Sequence, residues 1–212
     1  MSHPLIIMLS GYMGSGKDTV GKLLKGHGFI RYAFADIMKD EVARLYKIDR
    51  SSLDTVAGKE SKAMLSDGKA TTVRRILIDH AQGQRREDIH HWARRTLDRI
   101  LGSGHERIVI TDWRFPSEWD FLCRNTAGKV VTWRVERYEA PPLIDPTEIA
   151  LDTFPFDDII LNQGTVEELR ETIVPMLESL GLGLNSSFST ATIDECVTRV
   201  LPHSEQCATH TE

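Results

Sequence analysis

The chain has 212 residues, 41% of them hydrophobic and 27% charged, a composition that gives one compact domain with a sizeable core. Its 26 Lys and Arg against 31 Asp and Glu leave a formal charge of -5, which excludes a global positive field for binding a nucleic-acid polymer or a membrane surface, so any anion site must be local. Cys123, Cys196 and Cys207, odd in number and without a C-x-x-C pair, argue against a disulfide scaffold and a structural zinc site and fit a reducing cytosol.

In chain order, Leu5 to Leu9 is a short apolar run, far below the ~20 residues that span a bilayer, and predicts a strand buried on both faces of a sheet. The loop from Gly11 to Gly16 follows, and from Lys17 the apolar residues Val20, Leu23 and Leu24 take helical spacing until Gly26-His27-Gly28 stops them. Phe29 to Phe34 reads as a second strand, after which Asp36 can cap a helix carrying Ile37, Met38, Val42 and Leu45. Residues 49–70 are polar and poorly periodic and read as loop or weak helix. Two helices come next, one with Val73, Ile76, Leu77 and His80, the other with Ile89, Trp92, Ala93, Thr96, Leu97, Ile100 and Leu101 at i, i+3, i+4, i+7 spacing.

Arg107 to Asp112 is a further buried-strand pattern, closed by the Asp112 carboxylate where the chain leaves the sheet; Lys129 to Val135 and Asp158 to Leu161 add two more. Between these last two, Glu139 to Pro155 holds four prolines and little periodicity, the pattern of a mobile surface segment. Thr165-Val166-Glu167-Glu168 is a capping box opening a last helix to about Leu180, and beyond Gly181 a connector leads to a short amphipathic stretch over 193–201. Five strands interleaved with helices predict an α/β fold: a five-stranded, mainly parallel sheet in three layers, helices on both faces.

Gly11-Tyr12-Met13-Gly14-Ser15-Gly16-Lys17 matches G-x-x-x-x-G-K, and it sits between a strand and a helix as a phosphate loop must. Glycines let backbone N–H groups converge on phosphate oxygens, the helix N-terminus adds partial positive charge, and Lys17 can bridge the β- and γ-phosphates. The residue after the lysine, ordinarily the Ser or Thr that meets Mg2+, is Asp18, followed by Thr19. A carboxylate there could hold the metal, orient a basic group or acceptor phosphate, or simply favour the helix's first turn.

Gly11 to Val20, taken with Phe34-Ala-Asp-Ile-Met-Lys39, Val73-Arg-Arg-Ile-Leu77, Thr111-Asp-Trp-Arg-Phe-Pro-Ser-Glu118 and Asn162-Gln-Gly-Thr-Val-Glu-Glu-Leu169, resembles the deoxynucleoside monophosphate kinases of bacteriophages and bacteria. The resemblance runs over roughly residues 5–178. It implies a P-loop kinase fold like that of adenylate kinase over 1–180, with acceptor-binding helices at about 36–101, a lid at about 137–155 and a tail of unknown role at 181–212. It further implies cytoplasmic transfer of the γ-phosphoryl group from ATP to the 5′-phosphate of a deoxynucleoside monophosphate, with Mg2+ present, and leaves a homodimer open. Gly11, Met13, Gly14, Ser15, Gly16, Lys17, Asp18, Thr19 and Arg137 would then meet ATP, and Asp18 and Asp112 the metal. Ala35, Asp36, Arg74, Arg75, Gln82, Trp92, Asp112, Arg114 and Glu118 would meet the acceptor, with Lys17, Arg75 and Arg114 acting in catalysis. The chain departs from the family at Met13 and Gly14, where basic residues are common, and at Ala81-Gln82-Gly83, where the family has G-[ST]-D.

The residues support this independently. Two nucleotides bring five or six negative charges into one cleft, and arginine, always protonated and fork-shaped, suits them. Between 74 and 107 there are eight arginines (74, 75, 85, 86, 94, 95, 99 and 107) and no lysine. Arg74 and Arg75 open a helix, where the resemblance implies acceptor-binding arginines and the plain alternative is a solvated face, while Arg85, Arg86, Arg94, Arg95 and Arg99 lie largely opposite the apolar stripe and read as solvated. Trp92 reads equally as core or as acceptor contact, Asp36 as helix cap or site residue, and Asp112, Arg114 and Glu118 as clamp or as a local network. Arg134 and Arg137 could reach ATP phosphates or stay on the surface. Rival readings are a phosphomevalonate-kinase-like or other small-molecule kinase, and a P-loop ATPase or motor without an acceptor. No N/T-K-x-D segment marks a guanine switch, and Asp112 is followed by Trp113 where a motor would carry Glu.

Overall fold

The computed structural model describes residues 3–64, 68, 70–140 and 146–182. In chain order the elements are β1 (Leu5–Ser10), α1 (Lys17–Gly26), β2 (Ile30–Tyr32), α2 (Phe34–Tyr46), a 3-10 turn (Arg50–Asp54), α3 (Val56–Glu60), β3 (Lys62–Met64), β4 (Ala70–Thr72) and α4 (Val73–Glu87). They continue with α5 (His91–Ser103), β5 (Arg107–Ile110), α6 (Pro116–Asn125), β6 (Lys129–Glu136), α7 (Pro146–Ile149), β7 (Asp158–Leu161) and α8 (Val166–Ser179). Five strands form one parallel sheet in the order β2-β5-β1-β6-β7, as the strand and helix alternation requires.

Central β1 shows why its apolar run is unbroken. Ile6 and Met8 face one layer, with Ile37 of α2, Trp92 and Leu97 of α5, and Leu122 of α6; Ile7 and Leu9 face the other, with Val20 and Leu24 of α1 and Ile173 and Leu177 of α8. Both faces are therefore buried, and the two-residue period of a strand serves two cores at once. A third, smaller core joins Val42 of α2, Leu53 of the 3-10 turn, and Val73, Ile76 and Leu77 of α4, seating the 50–87 region against the sheet domain through α2.

The structure departs from the sequence expectation in several places. Ile89 and Leu101, the two ends of the apolar stripe read for α5, are exposed, Ile89 before the helix starts, and Arg85, read as solvated, is largely covered by Phe115 and Glu118. The polar stretch 49–70 contains the 3-10 turn, α3 and the antiparallel β3–β4 pair, elements too short for periodicity to register. Helix α2 starts at Phe34, ahead of Asp36. Within 139–155, where a surface segment was expected, Leu151 is buried and Phe154 packs edge-on to Trp113 and Trp119. Residues 141–145, and 183–212 of the expected tail, lie outside the described residues. Among the described residues no helix is long and apolar enough to cross a membrane.

Candidate active site

The phosphate loop runs from the carboxyl end of β1 to the first turn of α1, where ligands gather in parallel sheets. Two of its glycines are fixed by geometry. Gly11 has φ 138° and Gly16 φ 104°, and a Cβ on the first would collide with the Val135 carbonyl, on the second with the Asn162 side chain. Lys17 Nζ folds back over the loop, donating to the Gly11 carbonyl at 2.6 Å and to the Tyr12 carbonyl at 2.7 Å. Burial lowers the ammonium's pKa, an effect that the nearby Glu148 carboxylate opposes. The Ser15 hydroxyl is buried without a hydrogen-bond partner among the described residues, and Asp18 stands exposed in the first helical turn.

Beside the loop, the chain leaving β5 makes a turn of acids and cations. Asp112 receives the Phe34 N–H at 2.9 Å on one oxygen and the Ala35 N–H at 2.8 Å on the other, so it caps α2 from a distant strand. Burial raises its pKa, while these two N–H groups pull it down. Glu118 is buried and accepts the Arg114 and Phe115 N–H groups at 3.2 and 3.1 Å. Burial pushes its carboxyl up to about 7, with the neighbouring Asp112 charge in the same direction. Arg85 approaches Glu118 at 3.4 Å and lies 3.7 Å over the Phe115 ring, joining α4 to this turn.

The turn and the loop share one cavity of about 50 Å³, lined by residues that include Gly11, Lys17, Asp112, Arg114 and Glu148. Arg114 Nη1 donates to Glu148 Oε1 at 2.6 Å and to Thr147 Oγ1 at 3.0 Å. The other Glu148 oxygen accepts the Met13 N–H at 3.0 Å. Four residues on, Asp152 accepts from the Tyr12 hydroxyl at 2.8 Å and from Arg134 Nη2 at 2.8 Å. Asn162, at the end of β7, donates to the Ser15 carbonyl at 2.8 Å from a buried position and so braces the loop from behind.

The sequence candidates divide accordingly. Gly11, Lys17, Asp112 and Arg114 line the cavity; Met13, Gly14, Ser15 and Gly16 of the loop and Asp18 and Thr19 of α1 are not in its lining, and Ala35 and Glu118 are tied to its wall. Asp36 pairs with Arg31 at 2.7 Å and Arg50 at 3.4 Å. Arg74 pairs with Glu60 and Arg75 with Asp79, both on the open side of α4, and Gln82 lies exposed further along it. Trp92 is buried in the core and donates to the Ala81 carbonyl at 3.2 Å. Arg134 is buried between Asp152 and Glu136, and Arg137 is half exposed beside Glu139. Sequence reasoning missed Glu148, which lay in an aperiodic proline-rich stretch with no local signal. It also did not name Asn162 as a site residue, although Asn162 opens the motif at the last strand-to-helix turn.

No family model matches the chain. A protein of Acanthamoeba polyphaga mimivirus described as "Putative deoxynucleotide monophosphate kinase" is 26% identical over 193 residues, covering 82% of this chain and 97% of the relative. Among solved structures, TT1252 from Thermus thermophilus is 19% identical and superposes with TM-score 0.50 over 84% of this chain and 99% of that one. Shikimate kinase from Aquifex aeolicus, 16% identical, gives TM-score 0.46 over 84% and 99%. The chain has the P-loop kinase fold, and the family that its motifs resemble is the one for which its mimivirus relative is named.

Proposed function

We propose that this chain transfers the γ-phosphoryl group of ATP to the 5′-phosphate of a deoxynucleoside monophosphate. The observation that carries the reading is the meeting of Lys17 and Arg114 on one cavity at the mouth of the phosphate loop. A loop of backbone N–H groups with a lysine binds the donor's phosphates, and an arginine across from it can neutralise charge on the group in flight. The kinase name of the mimivirus relative and the acceptor motifs of the sequence support a deoxynucleotide as acceptor.

In this reading the loop amides and Lys17 hold the β- and γ-phosphates, and Arg114 clamps the acceptor phosphate or the transferring group. Ala35, Asp36 and Glu118 define the acceptor side, Glu118 meeting base or sugar. Arg74, Arg75, Gln82 and Trp92 belong to the acceptor helices. Mg2+, when bound, neutralises phosphate oxygens. The exposed Asp18 carboxylate in the first turn of α1 fits it, because Mg2+ ordinarily takes one or two carboxylates with phosphates and water completing its shell. In this reading Asp18 would supply such an oxygen, Asp112, whose two oxygens already accept N–H groups, would reach the ion through water, and the Ser15 hydroxyl, partnerless among the described residues, would offer a further oxygen.

The test is product analysis with ATP, Mg2+ and a panel of deoxynucleoside monophosphates, ribonucleoside monophosphates and phosphomevalonate. Diphosphate formed from one or more deoxynucleotides is expected. Turnover of phosphomevalonate alone, or ATP hydrolysis indifferent to every acceptor, would replace this reading with one of its rivals.

A further inference from the structure

Glu148 reaches the phosphate loop from α7, and its side chain is only 6% exposed. One of its oxygens accepts a loop amide, the Met13 N–H, and the other a guanidinium, Arg114. Those are the two donor types with which proteins grip phosphate oxygens, and a carboxylate satisfies them with the same negative charge. Its field also acts on Lys17, partly offsetting the effect of burial on that ammonium. The segment is held at a second point, because Asp152 ties the Tyr12 hydroxyl of the loop to Arg134 of β6. Glu148 lines the cavity together with Gly11, Lys17 and Arg114, so its carboxylate stands where a phosphate held by the loop and Arg114 would lie.

We propose that Glu148 is a built-in occupant of the phosphate site, a carboxylate that a nucleotide phosphate must displace from Met13 and Arg114 before the donor can seat. The inference rests on the reading of Gly11 to Lys17 as a nucleotide phosphate site. It gives residues 146–152 of the expected lid region a negative charge, since their charged side chains are Glu148 and Asp152 and none is Lys or Arg. Two consequences follow. The empty loop keeps its cations compensated, and apparent donor affinity is reduced by the fraction of molecules in which the carboxylate is seated.

The experiment is calorimetric titration of the full chain with ATP, in EDTA and again with Mg2+, for the wild type, Glu148→Gln and Glu148→Ala. Removing one ion pair and one hydrogen bond that compete with the ligand should tighten ATP binding about fivefold in both media, more for Ala than for Gln. Binding that is unchanged or weaker in EDTA overturns the proposal, and weakening confined to Mg2+ overturns it in favour of a metal ligand. A measurement on the wild type guards against a variant that does not fold: amide exchange over residues 146–152 should rise when ATP is added, and unchanged or slowed exchange rejects displacement. ATP binding without phosphorylation of any deoxynucleotide would sink the proposed function and leave this inference standing. Deoxynucleotide turnover with ATP affinity indifferent to Glu148 would do the reverse.

Discussion

Lys17 bonds two loop carbonyls at an open cavity, where water can take over from it, so its removal should be felt in chemistry and hardly in folding. Lys17→Ala is expected to lower turnover about a hundredfold or more, on the order of 3 kcal/mol of transition-state stabilisation, with little change in the thermal midpoint. A coupled kinase assay beside circular-dichroism melting checks both halves, and a large drop in stability with activity retained would refute the phosphate-loop role. Glu118 gives a pH prediction whose sign is the opposite of that for an ordinary salt-bridged acid. Its carboxyl is raised from 4.5 to about 7 by burial, so the folded state holds a proton that the unfolded chain has released between those values. The contribution is fully present below about 4.5 and is lost as pH rises through about 7. Urea unfolding across that window should show wild-type stability falling relative to Glu118→Gln; parallel curves would mean that Glu118 ionises normally in the fold.

At the scale of elements, the last strand-to-helix turn emerges as a structural brace for the first. Asn162 is buried, donates to the Ser15 carbonyl and occupies the space that a side chain at Gly16 would need. Asn162→Ala should cost about 1–2 kcal/mol in stability by leaving that carbonyl unpaired, and should raise the ATP KM several-fold because the loop amides are no longer held in one geometry. A variant with a normal KM for ATP would reduce Asn162 to packing. The sequence made this turn visible as a motif, just as it made β1, the phosphate loop and the α8 capping box visible, because each is written in residues adjacent along the chain. In α8 the Thr165 hydroxyl accepts the Glu168 N–H at 3.2 Å and Glu168 answers at 2.7 Å. The cap of α2 was not legible in that way. A local reading finds only Asp36, whose carboxylate is drawn instead to Arg31 and Arg50, while the acceptor that serves the helix arrives from the end of β5. Glu148 is the same case: its meaning lies in Met13 and Arg114, and neither is within reach of a window around 148.

For the molecule as a whole, Lys17 and Arg114 meet on one cavity, while Arg74 and Arg75, the other arginines assigned to the acceptor by resemblance, sit apart from it. Arg75 is 66% exposed and paired with Asp79 one helical turn away, a contact worth little to stability. Arg75→Ala should therefore leave the melting temperature nearly unchanged while raising the deoxynucleotide KM, with ATP affinity measured alone unaffected. Wild-type kinetics toward every acceptor would remove Arg75 from the site and leave Arg114 as the acceptor's cation.

The strand order has a further consequence, in the time domain of synthesis. The phosphate loop hangs from β1, yet Leu5 is paired with Arg107 on one side and Lys129 on the other, both more than a hundred positions later. Loop-closure entropy must be met before either pairing contributes. A ribosome that has released the first half of the chain has thus released the whole Gly11 to Lys17 signature with no sheet to hold it. The earliest nucleotide-binding segment to emerge is among the latest to become competent, and nascent chains ending before β6 should fail to be retained on immobilised ATP.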